Sequence, residues 1–119
     1  MNAALRGRIS RRERIHRSDD IRSLRASGVR VRGEFVTLYV APAEAYAFAV
    51  VASRRVGIAV LRNRARRVLR EALRSVRSEL RDDRAARMLL AARTGTARAR
   101  TQDVAAELVT MLRGQGLID

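Results

Sequence analysis

The chain has no cysteine and no tryptophan, a single proline (Pro42) and a single histidine (His16), and its only aromatic rings are Phe35, Tyr39, Tyr46 and Phe48. Each shortage removes a class of chemistry. Without cysteine there is no disulfide framework, no thiolate nucleophile and no Cys-based zinc site. One histidine cannot build a His-cluster metal centre or a His–His acid–base pair. The acids Glu13, Asp19, Asp20, Asp82 and Asp83 do not fall at metal-ligand spacings, whereas two-metal hydrolysis needs several convergent carboxylates. A self-sufficient hydrolytic site is the least supported reading. No run reaches the roughly 18 apolar residues of a membrane span, so no membrane partner is expected. The opening MNAALRGRISRRER has no apolar core for a secretory signal, and the expected location is cytoplasmic.

Lysine is missing too. All 26 basic residues are arginine, against 12 acids, giving a formal charge of +14 and an isoelectric point near 11.9. A folded domain of 119 residues repels itself at that charge, and a polyanionic partner is the usual compensation. The length suits one domain. With 47% apolar residues a core is within reach, built on Leu, Val, Ile and Met. Residues 1–17 are basic without a persistent apolar stripe and read as a mobile N-terminal arm. Residues 18–115 read as the single domain.

Ser18, followed by Asp19 and Asp20, resembles a helix start: a capping hydroxyl, then acids against the unpaired amides of the first turn. Ile21 and Leu24 share a face, and Gly28 is a stop. Residues 30–41 and 46–52 are strand candidates. In the first, Phe35, Thr37 and Tyr39 alternate with Val36, Leu38 and Val40, so one face covers a helix and the other forms a half-exposed platform. Pro42 with residues 43–45 predicts an antiparallel hairpin between the two. A long helix follows over 62–80, with Ala65, Leu69, Ala72, Leu73, Val76 and Leu80 on one side. Arg66, Arg67, Arg70, Arg74, Arg77 and Arg81 lie on the other. Residues 86–92 suit a buried strand and, on local pattern, a helix nearly as well. Residues 94–100 are a loop. Thr101 would cap a last helix that turns Val104, Leu108, Met111 and Leu112 inward and ends near Gly114 or Gly116. The order is α-β-β-α-β-α, with a further short strand at Val29–Val31 as an option.

The arginine ridge, with Arg54 and Arg55 before it, is the strongest functional signal. A solvated helix face normally mixes charge signs, yet only Glu71 and Glu79 interrupt residues 54–81. Arginine's planar fork holds two phosphate oxygens at once and also stacks on bases. Each phosphate neutralised releases a cation, so binding should fall steeply with salt. Asn63 either caps the helix or touches nucleic acid. Gly57 serves a tight turn or a close backbone approach. The four aromatic rings suit core packing better than base stacking, although stacking rings are known on open RNA-binding sheets.

Residues 53–73 read SRRVGIAVLRNRARRVLREAL, and residues 14–40 read RIHRSDDIRSLRASGVRVRGEFVTLYV. Both segments closely resemble the bacterial ribonuclease P protein subunit. That family opens its central helix with a basic pair, a glycine, an Ala-Val pair and then Arg-Asn-Arg-x-(Lys/Arg)-Arg. The resemblance spans roughly residues 11–113. It implies a two-layer α/β sandwich related to a ribosomal-protein domain, in the order α-β-β-(β)-α-β-α with a left-handed βαβ crossover. It also implies an endoribonuclease in which a catalytic RNA performs the cleavage. Mg²⁺, held mainly by that RNA, directs water at the bond joining the 5′ leader to tRNA, and the protein has no catalytic residues of its own.

On this resemblance Arg62, Asn63, Arg64, Arg66, Arg67, Arg70 and Arg74 would contact the catalytic RNA, with Arg54, Arg55 and Gly57 on the same surface. A cleft between the first helix and the sheet would hold the leader of precursor tRNA, through Ile21, Leu24, Arg25, Phe35 and Tyr39. No obligate protein partner is implied. The family often places phenylalanines where this chain has Ile21 and Arg25, so Arg25 here offers a phosphate or guanidinium–base contact instead. The family's frequent Lys is Arg66 here, which preserves charge, and its frequent aromatic near Leu73 is absent. The alternative is a ribosomal-type RNA-binding protein, which would need the ridge but no leader cleft. A DNA reader would present base-reading side chains on its helix, rather than a phosphate-type arginine array.

Overall fold

A computed structural model of the chain describes residues 9–119; the beginning of the arm expected over 1–17 lies outside the described residues. The elements are α1 (Ser18–Ser27), β1 (Val29–Arg32), β2 (Val36–Pro42), β3 (Ala47–Val51), α2 (Ala59–Val76), β4 (Ala86–Ala92) and α3 (Thr101–Gly114). The optional strand at Val29 is therefore real, and residues 86–92 are a strand. One sheet carries all four strands in the order β1-β2-β4-β3. β1 and β4 each pair antiparallel with β2, and β3 pairs parallel with β4.

The hairpin expected between β2 and β3 does not form. β4 lies between them, pairing Leu38 with Leu90 on one side and Val50 with Leu90 on the other. The reason is burial. Met88, Leu89 and Leu90 are fully buried, on both faces of β4, and a strand apolar on both faces belongs in the middle of a sheet. A short connection between β2 and β3 permits a hairpin, but the demand to cover β4 from both edges outweighs it.

Side-chain alternation divides the sheet into two faces. Val36, Leu38, Val40, Met88 and Leu90 pack with Phe48 beneath α2 and α3, forming the main core. The opposite face holds the smaller cluster of Leu24, Ala49 and Leu89, with Ile21 and Tyr39 against it. α1 covers β2 and β4 there. Phe35 breaks the expected alternation. It precedes the strand, in the bend between β1 and β2, and packs with the main core rather than beside Tyr39.

That bend is tied to α3. The Glu107 carboxylate accepts hydrogen bonds from the backbone amides of Glu34 (3.0 Å), Phe35 (3.1 Å) and Val36 (3.0 Å). Gly33 makes room for it, since a Cβ there would stand 2.0 Å from Glu107 Oε1.

Helix ends depart from the capping expectations. Ser18 and Thr101 are first helical residues, not caps, and neither start carries a side-chain cap bond. Thr101 Oγ1 instead donates to Glu71 on α2 (3.3 Å). α2 begins at Ala59 rather than 62 and passes into a 3₁₀ turn at Arg77–Glu79. Asn63 thus lies inside α2 and caps nothing. Gly28 does end α1, where a Cβ would meet the Leu24 carbonyl at 2.6 Å.

The domain also starts earlier than residue 18. Ile9 packs on the main core, and the Ile15 amide donates to the Phe48 carbonyl of β3 (2.8 Å). Glu13 pairs with Arg77, both side chains being less than a fifth exposed (18% and 19%). The Arg77 guanidinium lies over the Tyr46 and Phe48 rings at 4.9 and 5.7 Å. From Ile9 onward, the expected arm is a docked segment.

Candidate nucleic-acid interface

α2 explains the ridge. Ala65, Val68, Leu69, Ala72, Leu73 and Val76 are buried against the sheet and α3. A helix turns 3.6 residues per cycle, so seating that stripe leaves Arg64, Arg67, Arg70 and Arg74 exposed while Arg62 and Arg66 are half-buried at the margin. Several of these groups have local partners. Arg62 donates to the Gly57 carbonyl (3.1 Å), Arg66 to Asn63 Oδ1, and Arg67 to Glu71 (3.1 Å). Arg62 thus fastens the loop before the helix, and Asn63 orients Arg66. Arg64, Arg70 and Arg74 form no ion pair among the described residues.

Gly57 has φ +137°, a conformation open to glycine and strained for side-chain-bearing residues. It turns the chain from the 3₁₀ turn Arg54–Val56 into α2, and a Cβ there would also meet Leu61 Cδ1 at 2.8 Å. The tight-turn reading of Gly57 is the one its geometry fits.

A second basic surface occupies the α1 face of the sheet. A groove of about 620 Å³ is walled by Arg25, Arg30, Arg32, Arg55 and Arg93, with Tyr39 on its floor and no acid in its lining. Of the residues expected in a leader cleft, Arg25 and Tyr39 line it. Leu24 is buried beneath α1 at 3% exposure, and Ile21, half-buried against the same cluster as Leu24, lines a separate hollow with Ser18, Arg22 and Arg25. Phe35 belongs to the other face of the sheet. Arg55, expected with the ridge, joins this groove instead.

Arg30, Arg32 and Arg93 escaped the sequence reading. The signal for the first two was present: Val-Arg-Val-Arg at residues 29–32 places both arginines on one face at period two. In the register they stand opposite Tyr39 and Thr37. Arg93 follows β4 and could be placed only once the strand order was known.

Tyr39 is the one aromatic ring available to this groove. Tyr46 and Phe48 stack on each other at 6.0 Å beneath Arg77, and Phe48 is buried. The Tyr46 hydroxyl donates to the Arg81 carbonyl (2.8 Å), and burial pushes its pKa above the ordinary tyrosine value. Beyond the far end of β2, acids gather instead: Glu44, Asp82 and Asp83 line one hollow there, and Asp119 pairs with Arg81 nearby (3.1 Å). A hydrogen bond from Arg81 holds the Asp83 carboxyl below its ordinary range. Among the described residues there is no group of three or more His, Cys, Asp or Glu placed to hold a metal ion.

The family model for ribonuclease P matches residues 9–115. The fold is similar to that of the RNase P protein from Staphylococcus aureus, with a TM-score of 0.74 at 21% identity over 90% of this chain and 98% of that one. It is also similar to the RNase P protein from Thermotoga maritima, with a TM-score of 0.71 at 19% identity over 84% of this chain and 94% of that one. A search of curated proteins finds no match.

Proposed function

The chain belongs to the ribonuclease P family, and we propose that its two basic surfaces divide the protein's work in that enzyme. It is the protein subunit: it binds the catalytic RNA, which performs the cleavage, and assists removal of the 5′ leader from precursor tRNA. In this division the α2 ridge (Arg62, Asn63, Arg64, Arg66, Arg67, Arg70, Arg74, with Arg54 beside it) takes the catalytic RNA. The groove under α1 takes the leader.

The observation that carries this division is the acid-free groove itself. A ribosomal-type RNA-binding protein needs only the ridge, whereas a leader-binding subunit needs a second surface. The groove's chemistry suits a single strand. Arginines on its walls accept phosphates without reading sequence, and Tyr39 offers one ring for a base. Leaders vary in sequence, so backbone contact with a little stacking is the selectivity required. Arg25 supplies a guanidinium where the family often stacks a ring. Neutralising leader and RNA phosphates together lets two polyanions approach each other, and this is the protein's share of the rate.

Metal, topology and location follow the same reading. Mg²⁺ is assigned mainly to the RNA. The β3–α2–β4 unit is read as the left-handed crossover of a ribosomal-protein-like sandwich. The subunit is placed in the cytoplasm, with no membrane and no obligate protein partner.

Reconstitution tests the function. The purified protein is mixed with its catalytic RNA and a leader-bearing precursor tRNA at low Mg²⁺, with each component also omitted in turn. The protein should accelerate RNA-dependent cleavage and cleave nothing alone. Cleavage by the protein alone, or no effect on the RNA, would refute the reading.

A further inference from the structure

A separate groove, also free of acids, runs along the other flank of α2. It encloses about 450 Å³, with Arg70 and Arg74 of α2 on one wall and Arg14 and His16 of the N-terminal segment on the other. We propose that this groove is a further RNA-backbone site, in which the docked N-terminal segment and the middle of α2 grip one stretch of phosphodiester between them. The identity of the RNA rests on the ribonuclease P reading; the charge and shape of the groove do not.

The second wall is held in place. Arg14 forms a parallel bridge with Phe48, the Ile15 amide donates to the same residue's carbonyl, and Glu13 is locked to Arg77. The acids next to its arginines in sequence are Glu13 and Glu71; Glu13 is paired with Arg77 and Glu71 with Arg67, and neither lines the groove. Arg14, Arg70 and Arg74 are exposed and form no ion pair among the described residues. Like charges brought together by a fixed backbone repel one another unless an anion lies between them. Two arginine forks on one wall, facing a third fork and a histidine ring on the other, suit consecutive phosphates and a ribose hydroxyl.

The lining also indicates what is gripped. Its one large aromatic ring, Phe48, is 3% exposed, which leaves only the small His16 imidazole near a base and no broad platform for stacking. Backbone contact without sequence preference is the chemistry left. Arg70 and Arg74 belong equally to the ridge, whereas the leader groove lies across the sheet. The continuity assigns the strand to the catalytic RNA, and its alternative source is the precursor.

The test uses the full chain with Arg14→Ala and Arg14→Glu, and Arg113→Ala on α3 as a charge-matched control. Affinity for the catalytic RNA is measured across a salt series. Affinity of the reconstituted complex for precursor tRNA with and without its leader is measured alongside. Arg14→Ala should weaken binding to the catalytic RNA about three- to tenfold and flatten the log–log salt slope by about one. Arg14→Glu should do more, Arg113→Ala nothing, and circular dichroism should stay unchanged throughout. Unaltered affinity and slope in both Arg14 variants would overturn the site. A loss confined to precursor binding would overturn the assignment to the catalytic RNA. If the wild-type chain shows no preference for the catalytic RNA over a generic single-stranded RNA, the ribonuclease P reading fails instead; the Arg14 variants then decide the groove on that generic RNA.

Discussion

Glu107 holds the β1–β2 bend by receiving three consecutive backbone amides on one carboxylate. Glutamine keeps the shape but has one acceptor oxygen, and it turns an NH₂ group toward donors. Glu107→Gln should therefore cost about 2–3 kcal/mol of stability, the range for charge-assisted bonds left unmade in a partly buried place, measurable by urea unfolding. Nothing in the sequence marked this residue, because its partners lie 71 to 73 positions away. Tyr46 makes a different prediction. Its raised pKa means that the folded state favours the neutral phenol. The associated stability is fully present below the ordinary tyrosine value near 10 and is lost as pH rises through the higher folded value. Melting temperature should fall in that alkaline window. Tyr46→Phe should reduce that fall, at a cost of about 1 kcal/mol near neutrality for the missing bond to Arg81.

At the scale of elements, α2 was legible because a period of 3.6 sorts its residues unaided. Ala65, Leu69, Ala72, Leu73, Val76 and Leu80 are all buried. Its start was not legible, since Gly57 reverses the chain and Ala59–Leu61 carry no capping side chain. Phe35 was misplaced for a related reason: alternation was extended through a bend that Glu107 holds out of strand geometry. The strand order depended on packing between distant segments, which local pattern does not contain. Replacing Arg66, Arg67 and Arg70 together by Ala should leave the fold within about 0.5 kcal/mol per site, as for ordinary surface changes. Affinity for the catalytic RNA should drop, and its log–log salt slope should flatten by up to about 0.9 for each phosphate no longer neutralised. Arg70 should account for most of this, because Arg66 and Arg67 have partners in Asn63 and Glu71. Equal affinity and slope in a filter-binding salt series would rule the ridge out.

On the scale of the whole molecule, charge is unevenly spread over the described residues. Both arginine grooves and the ridge lack acids in their linings apart from Glu71 on the helix, while Glu44, Asp82, Asp83 and Asp119 gather beyond the far end of β2. Such a distribution steers a polyanion to one side before contact. It also sets two opposed responses to salt. Raising ionic strength screens the self-repulsion of a +14 chain and should raise the melting temperature of the free protein. The same salt should weaken RNA binding steeply. Thermal scans and binding isotherms over one KCl series should therefore move in opposite directions, and parallel movement would contradict the charge argument.

The insertion of β4 between β2 and β3 has a kinetic consequence. β3 has no strand partner until residues 86–92 have been made, because its ladder is with β4. Closing the sheet is thus a long-range event, slow relative to helix formation because loop entropy is lost before the pairing compensates. If that insertion limits the rate, Leu89→Ala should slow refolding in stopped-flow almost as much as it destabilises the native state. During synthesis α2 emerges before β4, so the ridge is exposed while the floor of the leader groove is still missing its central strand. If ridge and groove divide the RNAs as proposed, newly made chains would meet the catalytic RNA before they could hold a leader, and assembly would acquire an order that the finished molecule no longer displays.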